Sequence, residues 1–297
     1  MTDFPWIAKH RLEPHKAGVL GHAAFGLPCE DVVELGEGWD FVNYLADGKW
    51  VLRFPKRAEC DRALVREKEI LERLHVLSLP ASVPRFEHFS SHCDGFPWHF
   101  AAYRYLEGTP LSDIDDEAIV SVGAPAIGEF LAALHHAPIE AELPSPWDDD
   151  NDGAGMSREF KQSIGAYPTD LRKRLDAYLQ KSGPADPDVP RVLAHADLLG
   201  DHILVDPKTG ELKGVIDWAD ACTRIRCADF AGLFFTGGRG YTERAYAAYN
   251  VEPDANEWRW LEHSAIAIGI GEVYYGFHNN QPKRVAKGLD RIRRYLP

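Results

Sequence analysis

The chain has little to link it to the outside of a cell or to a metal cage. Its five cysteines, Cys29, Cys60, Cys93, Cys222 and Cys227, are odd in number and scattered, with no C-x-x-C pair. That argues against a disulfide framework, a zinc ribbon and a dithiol redox centre, and a reducing cytoplasm fits best. No apolar run follows a basic start in "MTDFPWIAKHRLEPH", and "AIAIGIG" at 265–271 is far too short to cross a bilayer, so neither export nor membrane insertion is expected. Positive charge is also in deficit: 33 Lys and Arg against 46 Asp and Glu leave a net charge of −13. Such a field repels polyanions and attracts cations, which excludes duplex nucleic acid as an expected partner. Repeats of fixed period and long low-complexity tracts are missing as well, so solenoids and linker arrays drop out.

What remains is ordinary globular material, 297 residues with 45% hydrophobic content, enough for two lobes with separate cores. The first hundred residues read mainly as strands and turns. "FVNYLADGKWVLRFPKR" places β-rich runs on either side of Asp47-Gly48, a strong hairpin signal. One helix interrupts them, in "DRALVREKEILERLHVL", where Leu64, Leu71 and Leu74 share a stripe. "HFAAYRYLEGTPL" reads as a buried strand leaving through a Gly-Thr-Pro turn. Beyond it helices dominate: "AIVSVGAPAIGEFLAALHHA", "TDLRKRLDAYLQ", and a closing helix marked by Val285, Leu289, Ile292 and Leu296. The acidic "SPWDDDNDGAG" at 145–155 reads as a loop. The expected fold class is α+β and two-lobed, a small β-rich lobe over residues 1–104 and a larger, mainly helical lobe over 105–297.

Chemistry concentrates in residues 192–217. A short apolar approach leads to "HADLLGDHILVD", then a turn, then a second apolar stretch ending at Asp217 in "GVIDWADA". A strand-like hairpin of this kind brings Asp197, His202 and Asp217 toward one point. Phosphoryl transfer needs few parts: a carboxylate to orient the acceptor hydroxyl, ligands for Mg²⁺, and a cation on the phosphates. A zinc hydrolase using His195, Asp197, His202 and Asp206 is the competing reading, although Asp206 precedes "PKTG" and has the character of a turn residue.

The spacing from His195 and Asp197 to His202, with "IDW" twenty residues beyond Asp197, resembles the catalytic and metal-binding segments of the aminoglycoside and macrolide phosphotransferases, protein-kinase-like small-molecule kinases. "WVLRFPKR" resembles their phosphate-gripping strand, with Arg53 where Lys is more familiar. "VREKEIL" supplies Glu67 as the helix carboxylate that pairs with it. "ELGEGWDFVNYL", with Gly36 and Gly38, resembles the nucleotide-covering hairpin, "RYLEG", with Arg104 and Tyr105, the connection that receives the purine, and "ADFAGLF", with Asp229, a supporting segment. The ordered landmarks run over about residues 33 to 235. His202 in place of the more usual Asn is similar to the macrolide 2′-phosphotransferase branch.

The resemblance implies the following roles. Asp197 is the catalytic carboxylate; His202 and Asp217 are ligands for Mg²⁺; Gly36, Gly38, Arg53, Glu67, Arg104 and Tyr105 hold ATP or GTP; Asp220, Glu272 and Tyr275 contact the acceptor, with core or surface packing the competing assignment for Glu272 and Tyr275. His195 fixes the loop without joining the chemistry. The expected acceptor is a small cationic antibiotic, a macrolide at its 2′-hydroxyl or an aminoglycoside, and modifying it confers resistance. Alternatives are a kinase of a small metabolite of the choline, homoserine or sugar-amine type, and a catalytically weak nucleotide-binding module. Asp148, Asp149, Asp150 and Asp152 form either a solvated turn or an attractor for a cationic acceptor.

Overall fold

The computed structural model describes all residues except 1–3, 5, 92, 139–141, 147–152 and 182. The acidic run at 148–152 therefore lies outside the described residues. The chain divides into two compact units, one comprising residues 1–108 and 213–221, the other 109–212 and 222–297. The architecture is mixed α and β, a sheet-based unit and a mainly helical one.

The first unit opens with α1 (Pro14–Phe25), which Gly26 ends at φ 68° by donating its N–H to His22. It is a second helix in a stretch whose pattern predicts one. Two internal glycines weaken its helical propensity, and packing supplies the compensation. A Cβ on Gly18 would lie 2.8 Å from Val32, and one on Gly21 3.0 Å from Leu52, so the bare backbone lets α1 sit directly on the sheet.

That sheet comprises β1 (Val32–Glu37), β2 (Phe41–Ala46), β3 (Trp50–Pro55), β4 (His88–Phe89) and β5 (Ala101–Arg104), antiparallel in the order β1-β2-β3-β5-β4. Asp47 and Gly48 join β2 to β3 with φ of 50° and 64°. Two successive left-handed residues make the primed turn whose twist matches its flanking strands. One face of β2 and β3 is apolar: Val42, Tyr44, Ala46, Leu52 and Phe54 pack with Ala17 and Leu20 of α1. α2 (Ala58–Leu74) follows β3. Its buried stripe is Cys60, Ala63, Leu64, Glu67, Ile70, Leu71 and Leu74, in which Glu67 is the one charged member.

The second unit contains β6 (Thr109–Pro110), α3 (Glu117–His135), α4 (Gly153–Gln162), α5 (Thr169–Leu179), β7 (Arg191–Ala194) and β8 (Ile203–Val205). The chain then passes through β9 (Leu212–Val215) into the first unit and returns as β10 (Cys222–Ile225), α6 (Cys227–Tyr249), α7 (Ala255–His278) and α8 (Pro282–Tyr295). β7 pairs antiparallel with β10, and β6 with β8. α4 begins at Gly153, inside the stretch 145–155 that composition reads as loop. Among the described residues α3 is the one helix long and apolar enough to cross a membrane. Here it is a core helix: a Cβ on its Gly128 would fall 2.1 Å from the carbonyl oxygen of Ala245 on α6. A second cluster gathers Phe160 of α4, Leu171 and Leu175 of α5, Ile266, Ile270 and Val273 of α7, and Ile292 of α8.

Candidate active site

In the first unit the side chains of β2 and β3 that point away from the apolar core carry the chemistry. Arg53 is 3% exposed, and its guanidinium lies 3.7 Å above the ring of Phe41. Its Nε donates to Glu67 Oε2 at 3.0 Å, and a terminal nitrogen of the same fork donates to Asp217 Oδ1. The other oxygen of Glu67 accepts the backbone N–H of Trp218 at 3.1 Å, and the Trp218 indole donates to Val215 O at 3.0 Å. Strand, helix and returning segment are thus tied through one buried cation.

A lone buried guanidinium would lose its proton more easily, but Asp217 and Glu67 outweigh burial and hold Arg53 above its usual range. Burial pushes the Glu67 carboxyl up, against the pull of Arg53. Asp217 itself is 29% exposed and sits at φ 65°, a left-handed conformation unusual outside glycine.

The turn between β1 and β2 is pinned from below. Gly38 donates its N–H to Phe41 O at 3.0 Å, and the buried Lys56 donates from Nζ to Gly38 O at 2.9 Å. A Cβ on Gly36 would meet nothing within 4 Å, and one on Gly38 nothing nearer than 4.0 Å, so space opens over both glycines. At the far end of the sheet, the Arg104 guanidinium stacks 3.9 Å over Trp50, and Tyr105 donates its backbone N–H to Lys49 O at 2.9 Å. Asp220 is half-buried in the same returning segment as Asp217.

In the second unit, the loop after β7 is fixed by Asp229 near the start of α6. Its carboxylate accepts the N–H of His195 at 3.0 Å and that of Ala196 at 2.8 Å, and it contacts His135 Nε2 of α3 at 2.9 Å. His135 Nδ1 in turn lies 3.1 Å from the Tyr249 hydroxyl. Burial alone would raise the Asp229 carboxyl, yet His135 and the N–H donors hold it below the usual carboxylate range.

The loop then turns so that Asp197 is 41% exposed. His202 Nδ1 donates to Asp197 O at 2.7 Å and lies 3.5 Å from Asp197 Oδ2, which leaves the imidazole lone pair on Nε2. The backbone N–H of Asp197 donates to Nδ1 of the buried His195 at 3.3 Å. Asp206 is a turn residue that accepts from Lys208 N and Thr209 N at 2.8 and 3.0 Å. Among the described residues no three His, Cys, Asp or Glu side chains converge as metal ligands, so the zinc-hydrolase reading finds no geometry.

Glu272 and Tyr275 of α7 face Arg284 of α8. Arg284 Nε reaches both Glu272 oxygens at 2.9 and 2.8 Å, its guanidinium lies 4.9 Å over the Tyr275 ring, and a second nitrogen donates to Asp201 at 3.2 Å. Asp201 belongs to the same loop as Asp197 and His202. Neither Arg284 nor Asp201 stands out in the sequence; the available signal is the concentration of Lys and Arg on a closing helix of an acidic chain. His135, Lys56 and the Trp218 N–H are equally silent, since their role depends on partners far away in the chain.

Residues 31–263 match the family model described as "Phosphotransferase enzyme family". The fold is similar to that of wild-type aminoglycoside 2′-phosphotransferase-IIIa in its GDP complex, with TM-score 0.74 and 21% identity, covering 96% of this chain and 99% of that one. It is also similar to a macrolide 2′-phosphotransferase from Brachybacterium faecium, with TM-score 0.62 and 21% identity, covering 94% and 98%. In sequence, a homoserine kinase from Zymomonas mobilis is 45% identical over 74 residues, which make up 25% of this chain and 22% of that protein. The match over most of its length establishes that the chain belongs to the phosphotransferase enzyme family and is a kinase.

Proposed function

We propose that this kinase moves the γ-phosphoryl group of ATP or GTP to a hydroxyl of a small molecule, a macrolide or an aminoglycoside, and so confers resistance. The observation that carries the nucleotide half is the Arg53 fork, which spans Glu67 and Asp217 on the sheet face beside the open Gly36–Gly38 turn. Arg53 neutralises the phosphates, and Glu67 holds the fork at the right angle. The glycines cover the nucleotide, and the 104–105 connection receives the purine. In the second unit, Asp197 orients the acceptor hydroxyl.

As the acceptor oxygen bonds to the γ-phosphorus and the bond to the β-phosphate oxygen breaks, Asp197 takes the hydroxyl proton and the nucleoside diphosphate leaves. Asp217 and His202 would hold Mg²⁺, which would supply positive charge to offset that of the phosphates. The donors fit it modestly: Asp217 offers a partly buried carboxylate that also accepts from Arg53, and His202 a nitrogen lone pair that Mg²⁺ accepts less readily than oxygen. One or two protein ligands plus phosphates are the usual Mg²⁺ set, so the absence of a dedicated cage among the described residues is consistent with this role.

The acceptor choice draws on the aminoglycoside and macrolide enzymes of the same fold and on the net charge of −13, which attracts cations. Asp220, Glu272 and Tyr275 are assigned to the acceptor side. A metabolite kinase is the second reading, favoured by the local identity to homoserine kinase. We assign the protein to the cytoplasm, with no nucleic-acid or membrane partner.

The test is turnover of ATP and GTP with a panel of macrolides, aminoglycosides, homoserine and choline. Turnover stimulated by an antibiotic supports the first reading, and by a metabolite alone the second. No acceptor-stimulated turnover at any Mg²⁺ concentration leaves a nucleotide-binding module. Asp197→Ala is expected to remove most turnover while nucleotide binding persists.

A further inference from the structure

Asp201 takes no part in the transfer itself, yet it ties the Asp197 loop to the last helix of the chain. Residues 197–202 form a turn closed on itself. Asp197 O accepts the backbone N–H of Leu199 at 2.9 Å and Nδ1 of His202 at 2.7 Å, and Leu199 O accepts the N–H of His202 at 3.0 Å. A turn bonded in this way shifts as one body, so whatever fixes its far end also fixes the Asp197 carboxylate.

α8 holds that far end in two ways. Directly, Arg284 donates to Asp201 Oδ2 at 3.2 Å, and Lys287, one turn on, lies 4.0 Å from Oδ1. Ser112 also bonds the Asp201 side chain. Indirectly, the N–H of Gly200 donates to Thr236 Oγ1 of α6 at 3.1 Å. Thr236 stands just before Gly238, where α6 leaves helical geometry at φ 74° and ψ −169°. A break of this kind strips the preceding carbonyls of their helical donors. Arg291 of α8 takes their place, donating to Phe235 O at 2.6 Å and to Thr236 O at 2.7 Å.

Arg284 is mounted as a rigid arm. A Cβ on Gly288 of α8 would fall 2.6 Å from Gly269 O of α7, so the two helices meet backbone to backbone at this level. Glu272 and Tyr275 of α7 are 8% and 3% exposed, and both lie against Arg284. A solvated ion pair contributes little because two mobile side chains must be ordered to make it. A guanidinium gripped by Glu272 and stacked on Tyr275 has already lost that freedom, so its bond to Asp201 carries position as well as charge. We infer that Arg284 is a positioning residue for phosphoryl transfer: through Asp201 it sets the orientation of the Asp197 carboxylate. Glu272 and Tyr275 then serve the acceptor side by holding Arg284. This rests on the proposal that Asp197 orients the acceptor hydroxyl.

The test compares the parent with Arg284→Gln, Asp201→Asn, the double variant and Arg284→Lys. Turnover of ATP is followed with water as acceptor and with the panel of macrolides, aminoglycosides, homoserine and choline. Calorimetry counts ATP-binding sites, so that kcat refers to folded chains alone. Arg284→Gln and Asp201→Asn are each expected to lower kcat about 10-fold, the size of one charge-assisted hydrogen bond, with KM for ATP within about 2-fold of the parent's. The double variant is expected to fall no further than either single one, because the two residues act in series. Arg284→Lys keeps the charge and is expected to retain at least about a third of the parent's kcat. A fall of about 100-fold in the double variant shows two separate roles and overturns the inference. So does a parental kcat per binding site in either single variant. If Arg284→Gln does not fold, Asp201→Asn decides alone, since that side chain is 39% exposed and its amide keeps the shape. Absence of turnover in the parent, or turnover that survives Asp197→Ala, sinks the role of Asp197 first and the inference with it, before any Arg284 variant is compared.

Discussion

Asp229 accepts the backbone N–H of Ala196 at 2.8 Å, and Ala196 is held at φ 67°. A left-handed alanine costs about 1 kcal/mol, and the buried carboxylate is what makes the loop keep it. Ala196→Gly is expected to remove this strain. Net of glycine's greater freedom in the unfolded chain, it should raise stability by about 0.5 kcal/mol with turnover preserved. Thermal melting of the two proteins checks this, and a lower melting temperature for the glycine variant contradicts it.

Arg53 uses two edges of one planar group, Nε toward Glu67 and a terminal nitrogen toward Asp217. Lysine keeps the charge and cannot reproduce the fork. Arg53→Lys is expected to lower kcat/KM for the nucleotide by about 10- to 100-fold, the worth of one charge-assisted hydrogen bond. Steady-state kinetics at saturating acceptor measure it; parity with the parent would show that a point charge suffices.

Gly232 on α6 leaves no room for a side chain, because a Cβ there would lie 2.0 Å from the carbonyl oxygen of Leu198, the residue after Asp197. Gly232→Ala is expected to cost about 3 kcal/mol or to displace the loop, with turnover falling in either case. Denaturant unfolding together with turnover distinguishes the two outcomes, and a fully stable, fully active variant would contradict the packing described.

Glu159 on α4 is pushed up to about 7 by burial, with Arg158 only partly opposing it. The folded state therefore binds a proton more tightly than the unfolded chain, whose carboxyl titrates near 4.5. Its contribution is most favourable below about pH 4.5 and is lost as pH rises toward 7. Glu159→Gln is expected to be more stable than the parent at pH 8 by about 3 kcal/mol, and to match it near pH 4. Denaturant midpoints across that range test the sign: a gain at low pH instead of high pH would be incompatible with this carboxyl being the source.

Local chemistry made some of this architecture legible. Asp47-Gly48 announces its hairpin because few residue pairs tolerate two positive φ angles in succession. The α2 stripe was readable from its leucines, and Glu67 stands out on it as the one carboxylate among apolar positions. α1 was hidden because Gly18 and Gly21 argue against a helix locally, and their purpose, close approach to Val32 and Leu52, exists only in the packed unit. The start of α4 at Gly153 was obscured by its acidic, glycine-containing surroundings. Of the candidate site, residue types and order were visible. The Arg284 bond to Asp201 and the His135 contact with Asp229 were not, because each pairs residues 83 and 94 positions apart with no local pattern to record it.

The first unit takes its last segment, residues 213–221, from the middle of the sequence that otherwise builds the second. During synthesis Arg53 and Glu67 therefore leave the ribosome long before Asp217, which follows Arg53 by 164 residues. Until then the sheet waits with a desolvated cation short of one counter-charge, and with a Glu67 oxygen lacking the Trp218 N–H. A gene cut after Gly108 would encode all five sheet strands but not the piece that completes their charge balance. Expressed alone, such a fragment should depend on chaperones or aggregate, and supplying the missing nonapeptide in trans is the natural rescue.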